Sequence, residues 1–377
     1  MIPRLRGLYF FYYAGVGTFL SYFAPYLRGL GFSGEQIGAV TTVQQLVAVP
    51  CVLLWGGVAD RLGTRALRLS TAGALVVLAA LPFARTPLQM ALVLGLSAMF
   101  TCAVVPLADS ATVELTRASG QSYSRTRLFG SVGFVLTAQA MGLLLALRGD
   151  RPADPVMPWG FFTCVLGYAA LAQTLPAVAA HPDRPHWREA LSLLRPGPLL
   201  LLLVICALHW GALSPYHLLF GVLVRDRGLS SSVTGMGMAL GVLAEVGALF
   251  AFPWLEKKLS LRSVLALSFA ASALRWVLLA RAQSAGALVG LQLLHGLSFG
   301  AWWGAAVAAM SRLVPQRLRA SGQALFSAVV FGAGNAAGFA LSGAGYDRLG
   351  SASPLFLYAA AAEALALLLL ALPFGLR

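Results

Sequence analysis

Long apolar runs, separated by short polar segments, recur about twelve times along the 377-residue chain. Each run is close to the ~20 residues that an α-helix needs to cross ~30 Å of hydrocarbon. Because lipid offers the backbone no hydrogen bonds, such runs must be helical. The pattern predicts an all-α membrane protein with helices at about 6–28, 35–58, 66–84, 88–113, 127–147, 158–176, 198–221, 232–254, 263–281, 286–311, 321–343 and 354–375.

The longest polar interruption, 177–197, falls near the middle of the chain. It leaves six predicted helices on either side, in 1–176 and in 198–377. Two six-helix halves joined by a central linker are typical of transporters built from repeats, which cycle by rocking of the halves around a midplane site. We therefore expect two pseudo-symmetric six-helix bundles joined by a cytoplasmic linker.

Composition also indicates a membrane location. Hydrophobic residues make up 59% of the chain and charged residues only 11%, whereas a soluble domain carries roughly 25% charged residues. Arg and Lys concentrate in alternate polar segments, so the positive-inside rule predicts that both termini are cytoplasmic. We expect a multi-pass protein of a bacterial-type inner (plasma) membrane, with the lipid bilayer as a partner and a monomer as the working form.

Other classes of function find little support in the sequence. The net charge of +14 is not taken as a sign of a nucleic-acid partner, because the basic residues are dispersed along the sequence and form no single patch. The cysteines lie far apart inside apolar runs, which favours neither disulfides nor a metal site. No P-loop pattern is present, so ATP-driven transport is not expected. The histidines are scattered, and the sequence predicts no catalytic residues, no metal and no cofactor.

A charged motif lies between the second and third predicted helices. Its residues are Gly56, Asp60, Arg61, Gly63 and Arg65. A glycine permits close helix approach and a tight turn, and Asp60 could pair with an arginine across a cytoplasmic gate. The spacing resembles the G-x-x-x-D-R-x-G-x-R loop motif of the major facilitator superfamily. We interpret these five residues as a gate motif.

Three ionisable residues in the second half fall at similar depth in neighbouring helices: Glu245, Arg275 and His295. At ~1.5 Å per residue their heights agree within roughly 10 Å. Such groups cost several kcal/mol inside a membrane, so each is a functional hypothesis. Arg275 would stabilise ionised Glu245, and protonating Glu245 would release the arginine. We predict proton coupling here, with Glu245 as the proton carrier; the alternative is a structural salt bridge.

A second charged pair is predicted in the first half. Asp109 near the inner end of the fourth helix and Arg127 at the start of the fifth would meet across a short hairpin. Such a pair can hold hydroxyls or an anion through charge-assisted hydrogen bonds. Phe134, two turns deeper, could stack on a substrate ring. The alternatives are a surface charge for Arg127 and a core aromatic for Phe134.

Other polar residues within the apolar runs could line a cavity. Tyr216 and Asn335 are taken as further substrate-binding candidates, and His209 is a similar polar position. Each could equally be a satisfied interhelical polar residue. Glu363 has no role that the sequence explains. Glycines in the last helices, including Gly338, indicate close helix packing.

The fourth and fifth helices carry a specific resemblance. Pro106–Asp109 and Arg125–Phe134 are similar to the same region of lactose permease and of the phenylpropionate permease-like branch of proton symporters. In lactose permease, an acid and an arginine matching Asp109 and Arg127 bind sugar hydroxyls. A tryptophan there, matching Phe134, stacks on the sugar ring. The resemblance implies the major facilitator fold.

Glu245, Arg275 and His295 likewise resemble lactose permease residues for proton coupling and binding. The chain departs from lactose permease at Ser298, where that permease has a carboxylate, and near Phe331, where it has a lysine. These departures favour the phenylpropionate permease-like branch.

We expect proton-coupled symport of a small organic solute by alternating access, with a sugar, a nucleoside or an aromatic acid as substrate. One alternative is a proton-driven multidrug-type exporter, whose expected acids deep in the first helix are missing between Arg6 and Arg28. A second alternative is a non-transporting membrane sensor on the same fold. Saturable uptake would distinguish a transporter from a sensor.

Overall fold

The computed structural model describes residues 1–120, 122–176 and 197–372. The described chain is all-helical, as predicted. Its twelve long helices are α1 Ile2–Gly29, α2 Gly34–Leu62, α3 Thr64–Leu78, α4 Pro87–Ser119, α5 Tyr123–Leu147, α6 Val156–Gln173, α7 Pro198–Asp226, α8 Ser231–Lys258, α9 Leu261–Arg281, α10 Ala285–Leu313, α11 319–349 and α12 Ser353–Leu370.

Eleven helices of the described chain are long and apolar enough to cross a membrane. The helix outside this set is α1, which has spanning length at 28 residues but is rich in tyrosine and glycine. Lower hydropathy in α1 therefore reflects polar side chains that the bundle buries, such as Tyr9 and Tyr22 at 1% and 2% exposure.

The chain divides into two compact units. The first holds the described residues up to 176 together with Ser230–Ala239, and the second holds 197–229 and the chain from Leu240 onwards. Within the first unit, α1 packs against α5 and α6, and α4 packs against α2 and α3. Within the second, α12 packs against α7 and α9, and α9 also contacts α10. All of the predicted linker 177–197 except Gly197 lies outside the described residues.

Side-chain caps fix several helix starts. Ser33 and Gln36 form a reciprocal capping box at α2, and Thr86 and Gln89 form another at α4. Each box satisfies backbone N–H groups that have no partner inside the helix. These caps lie within one or two residues of the starts that the apolar runs predict.

The hairpin between α4 and α5 departs from the prediction. Helix α4 continues to Ser119 and α5 begins at Tyr123, where the Ser122 side chain accepts from a backbone N–H. Gly120, with φ +65°, makes the turn. The predicted ends at 113 and 127 were wrong because polar residues extend both helices beyond the apolar runs. Arg127 therefore lies in the second turn of α5, and Asp109 lies well inside α4.

The gate motif does not form the predicted loop. Helix α2 continues through Asp60 and Arg61 to Leu62, and α3 begins at Thr64. Gly63 alone separates them, with φ +55°, a conformation that glycine adopts without the penalty of a Cβ. The motif is therefore the end of one helix and the start of the next.

Helices α10 and α11 are less regular than predicted. In α10 a 3₁₀ turn, Leu291–Leu294, leads through His295 into a π-helical segment, Gly296–Ala301. In α11 a π-helical segment, Ser327–Gly334, ends just before Asn335. Such segments are frequent at functional sites. Two of the candidate residues therefore lie at breaks in helix geometry.

Glycine packing in these helices follows the prediction. A Cβ at Gly300 would lie 2.8 Å from the Glu245 carbonyl oxygen, and one at Gly338 would overlap the Ser214 side chain. Only a residue without a side chain allows α10 to approach α8, and α11 to approach α7, this closely.

Candidate functional site

Asp109 and Arg127 meet within the first unit. Arg127 Nε lies 3.3 Å from Asp109 Oδ1, and each side chain is 31% exposed. Helix α4 supplies the carboxylate and α5 the guanidinium, as the predicted hairpin requires. Both residues lie further from the ends of their helices than predicted. The pair keeps part of its hydrogen-bonding capacity open to a bound molecule.

Two tyrosines of α1 complete this arrangement, and the sequence reasoning missed both. The Tyr9 hydroxyl donates to Asp109 Oδ1 at 2.6 Å, and Arg127 donates through Nη2 to the Tyr13 hydroxyl. The guanidinium also lies over both rings, 5.3 Å from the centre of Tyr9 and 4.6 Å from that of Tyr13. Their i, i+4 spacing in α1 is the signal that could have found them. We call Asp109, Arg127, Tyr9 and Tyr13 the first cluster.

Phe134 lies in the packed contact between α1 and α5. Its side chain is 6% exposed, and its backbone faces Gly17 so closely that a Cβ there would lie 2.8 Å from the Phe134 carbonyl oxygen. The ring is buried in this conformation, so a stacking role would require it to become accessible.

Arg275 is the centre of a second, fully buried cluster. It is 0% exposed and donates through Nη1 to His295 Nδ1 at 2.9 Å and to Ser298 Oγ at 3.2 Å. A further bond runs from Nη2 to Gln292 Oε1. We call Arg275, His295, Ser298 and Gln292 the second cluster. Its anchors come from the irregular part of α10: Gln292 lies in the 3₁₀ turn, Ser298 lies in the π-helical segment, and His295 lies between the two.

The arginine fixes the tautomer of His295. A guanidinium can only donate, so Nδ1 of His295 must accept and its proton must lie on Nε2. In this arrangement His295 is a neutral imidazole. It could gain a proton on Nδ1 only by giving up its bond to Arg275.

Aromatic rings enclose the arginine, and one belongs to the predicted substrate-binding Tyr216. The guanidinium lies 4.3 Å from the ring centre of Tyr216 and 4.6 Å from that of Trp276. Cation–π attraction is strongest where both partners are desolvated. Tyr216 is 2% exposed. It therefore supports the arginine in this conformation.

Glu245 lies on the face of α8 that packs against α10. The α8 backbone at Ala244 and Glu245 closely approaches Gly296 and Gly300, and Gly241 lies against His295 and Tyr216. The structure therefore brings the predicted residues of α8, α9 and α10 into one neighbourhood. Glu245 itself is partly buried.

Asn335 follows the π-helical segment of α11 and is partly buried. Its Oδ1 atom has no hydrogen-bond partner among the described residues. An amide oxygen in this state can accept a hydrogen bond from a solute.

The gate residues lie at the junction of α2 and α3. Arg61 and Arg65 are exposed. A Cβ at Gly56 would meet nothing within 4 Å in the described part of the chain, and Gly63 supplies the turn. The side chain of Asp60 lies outside the described part of the structure. The start of α3 is instead fastened to the chain after α6, where Thr64 Oγ1 donates to the Pro176 carbonyl at 2.8 Å.

Glu363, to which the sequence assigned no role, is 0% exposed on α12. Its Oε2 atom lies 2.8 Å from Nδ1 of His209 on α7, which is also 0% exposed. The described residues contain no group of three or more His, Cys, Asp or Glu side chains that could hold a metal ion.

Comparisons with known proteins agree with this architecture. Residues 2–358 match the MFS_1 like family. The chain is 30% identical over 333 residues to a maltose permease of Geobacillus stearothermophilus, covering 86% of this chain and 83% of that protein. It is 27% identical over 352 residues to a probable 3-phenylpropionic acid transporter of Escherichia coli (strain K12), covering 91% and 90%.

A crystal structure of the nucleoside transporter NupG superposes with a TM-score of 0.87 at 17% identity, over 100% of this chain and 99% of that one. This likeness confirms the predicted major facilitator fold. Membership of a transporter family also confirms that the protein is not an enzyme. The chain belongs to the MFS_1 like family and is a multi-pass major facilitator superfamily transporter of small solutes.

Proposed function

We propose that the protein is a proton-coupled symporter that imports a small organic solute across a bacterial inner membrane by alternating access. The observation that carries this proposal is a division among its membrane-embedded charges. The first cluster is partly exposed, with 31% of each charged side chain accessible, whereas Arg275 of the second cluster is fully buried. One cluster can reach a solute, and the other can hold charge and protons away from water.

The first cluster supports binding of a hydroxylated or anionic solute. Asp109 is a pure acceptor, Arg127 a pure donor, and the tyrosine hydroxyls can do both. Paired donors and acceptors suit neighbouring hydroxyls on a sugar or nucleoside, and Arg127 alone suits a carboxylate. Since charges on hydrocarbon are strongly disfavoured, we infer that the exposed part of the pair faces water. The names of the relatives cover these same solute classes.

The second cluster supports proton coupling. Arg275 is a buried cation whose described hydrogen-bond acceptors, His295, Ser298 and Gln292, are neutral. Its charge needs an anion nearby, because an isolated ion in a low-dielectric interior is very costly. Glu245, on the helix packed against His295, is the proposed proton carrier: ionised it would balance Arg275, and protonated it would not.

The test is substrate-driven proton flux into liposomes that contain the purified protein. Maltose, uridine and 3-phenylpropionate are added outside one at a time while external pH is recorded, with protein-free liposomes as the control. Alkalinisation outside with one compound establishes symport and its solute class. Acidification would indicate the exporter instead. Thermal stabilisation by a compound without any proton movement would indicate a uniporter or a sensor.

Glu245→Gln separates coupling from binding. We expect this variant to lose accumulation against a gradient while it still exchanges internal for external solute, because the neutral amide imitates the protonated acid. Accumulation equal to that of the wild type would remove Glu245 as the proton carrier.

A further inference from the structure

A second acid–base pair lies in the second unit, the unit that contains Arg275. Neither of its residues has a role in the proton-coupled symport proposed above. His209 on α7 and Glu363 on α12 are joined at 2.8 Å, from Nδ1 to Oε2, and neither side chain is exposed. The Trp276 indole N–H donates to the other carboxyl oxygen, Oε1, at 3.3 Å. The imidazole lies beside the rings of Trp302 and Phe269, with centres 4.7 and 5.3 Å away. The pair therefore has no contact with water in this conformation.

The hydrogen bonds determine how many protons the pair holds. Nε2 of His209 lies 2.9 Å from the Ser298 carbonyl oxygen. A carbonyl only accepts, so Nε2 must carry a proton. The contact between Nδ1 and Oε2 then needs one further proton, either on the carboxyl group or on the imidazole. Without it, two lone pairs would face each other at 2.8 Å. The observed geometry is thus that of a pair loaded with one shared proton and carrying no net charge.

Ser298 connects this pair to the second cluster. Its carbonyl accepts from His209, and its hydroxyl accepts from Arg275 Nη1 at 3.2 Å. Both bonds fall in the π-helical segment Gly296–Ala301. A change in the position of His209 would therefore alter its contact with Ser298, whose hydroxyl also accepts from Arg275.

The protonation state of the His209–Glu363 pair changes the electrostatic environment of Arg275. The titratable and charged groups around it are Arg275 on α9, His295 on α10, His217 on α7 and, through Tyr216, Glu245 on α8. His295 is neutral by its tautomer. Loss of the shared proton would leave Glu363 as an anion within electrostatic reach of Arg275. The buried arginine would then have a counter-charge that the loaded pair does not provide.

We propose that His209 and Glu363 form a proton-binding site of the transport cycle, separate from Glu245, whose state Ser298 and the local field transmit to Arg275. The proposal rests on the proton-coupled function proposed above. Loading places one proton from water between Oε2 and Nδ1. Release returns that proton to water and leaves a carboxylate and a neutral imidazole. The neutral imidazole then has one N–H for two acceptors, Glu363 Oε2 and the Ser298 carbonyl oxygen. Release therefore requires His209 to lose one of these two contacts, by moving away from α12 or from α10.

Two near-isosteric variants test the site. Glu363→Gln keeps a donor toward Nδ1 and so imitates the loaded pair permanently. His209→Asn keeps a polar atom near the position of Nδ1 but cannot be protonated. The control is Glu256→Gln, which removes an exposed carboxylate of the same unit paired with Arg312 at 3.2 Å. Proton flux, accumulation and exchange are measured in proteoliposomes with maltose, uridine and 3-phenylpropionate, after size-exclusion chromatography has shown that each variant folds.

We expect both pair variants to exchange solute but to lose accumulation and substrate-driven proton flux, with the Glu256→Gln variant unchanged. If Glu363→Gln fails to fold, His209→Asn decides. Wild-type accumulation and proton flux in a folded pair variant would reduce the pair to a structural contact, even if Glu245→Gln abolishes coupling. Absence of proton flux in the wild-type protein would overturn the symport proposal itself, and this proposal with it.

Discussion

Two acid–base pairs join helices of this transporter, and they differ in access. Asp109–Arg127 is 31% exposed on both sides, at 3.3 Å. His209–Glu363 is 0% exposed on both sides, at 2.8 Å. The arginine of the first pair keeps its charge, because arginine does not deprotonate in proteins. The second pair is held together by one shared proton.

In the proposed symport mechanism, this difference would separate solute binding from proton binding. A solute would need an accessible surface with fixed charges, and we propose that the first pair, with Tyr9 and Tyr13 beside it, provides this surface. A proton needs no such surface and is better kept where water cannot compete for it. Transport would then depend on contacts that couple the protonation state of the buried pair to the rest of its unit. Ser298 makes such a contact, because it bonds to both His209 and Arg275.

The largest difference is expected in stability. Glu363→Ala leaves His209 buried without its acid partner, and breaking a buried pair costs about 3–5 kcal/mol. Asp109→Ala should cost only about 1–2 kcal/mol, because an exposed pair contributes about 1 kcal/mol or less and Tyr9 loses an acceptor worth about 1 kcal/mol. Thermal unfolding of the two detergent-purified variants measures the difference. Equal shifts in melting temperature would contradict the contrast in burial.

For solute affinity, the larger effect is expected at Asp109 and the smaller at Glu363, the opposite of the order expected for stability. Asp109→Asn should weaken solute binding about tenfold or more, since a hydrogen bond to a charged group contributes about 1.5–3 kcal/mol and 1.4 kcal/mol is a factor of ten. The fold should barely respond, because an amide oxygen still accepts from Tyr9. Glu363→Gln should instead leave affinity nearly unchanged. Isothermal titration with the transported solute compares them, and an unchanged Kd for Asp109→Asn would remove the first cluster as the binding site.

The fold followed from the sequence because its signal is local. Each apolar run carries its own evidence of a membrane-spanning helix, and the helices were placed correctly along the whole described chain. Helix ends were less accurate. The runs stop where polar residues begin, but α4 and α5 continue through such residues to a turn at Gly120. The π-helical segments of α10 and α11 depend on packing against neighbours, which no local pattern encodes.

The candidate site was only partly readable for the same reason. Asp109 and Arg127 were paired correctly because a short hairpin leaves few ways for α4 and α5 to meet. The sequence explains no role for Glu363, because its partner His209 is 154 positions away. Which faces of α7 and α12 meet is a tertiary property. Tyr9 was overlooked because tyrosines are ordinary residues in a membrane helix.

Tyr13 allows a finer test of the first cluster. Tyr13→Phe removes the hydroxyl that accepts from Arg127 but keeps the ring 4.6 Å from the guanidinium. We expect solute affinity to fall a few-fold, because a typical hydrogen bond contributes about 0.5–1.5 kcal/mol. Tyr13→Ala should cost about 0.5–1 kcal/mol more through the lost cation–π contact. Binding measurements on both variants separate the contribution of the hydroxyl from that of the ring, and equal affinities of the two variants would assign the whole effect to the hydroxyl.

The smallest effect is expected at a third pair, which lies outside the membrane-spanning helices. In the loop between α5 and α6, Arg148 Nε donates to Asp154 Oδ2 at 2.8 Å, and the backbone N–H of Val156 donates to Oδ1 at 3.0 Å. Burial by itself raises the pKa of Asp154, but these hydrogen bonds and the positive charge of Arg148 outweigh it and hold the pKa below its ordinary value.

A lowered pKa means that the folded loop binds a proton less readily than the unfolded chain does. The stabilisation is therefore fully present above the unfolded pKa of about 3.9 and is lost as pH falls through the lower folded value. Asp154→Asn should flatten the loss of thermal stability in acid and cost at most about 1 kcal/mol at neutral pH, since Arg148 is 41% exposed. Transport at neutral pH should not change, because the loop contains none of the residues proposed to bind the solute or the transported proton. A transport defect in Asp154→Asn would show that an acid–base pair outside the membrane-spanning helices can also affect transport. It would then weaken the inference that the other two pairs act in transport because they lie within those helices.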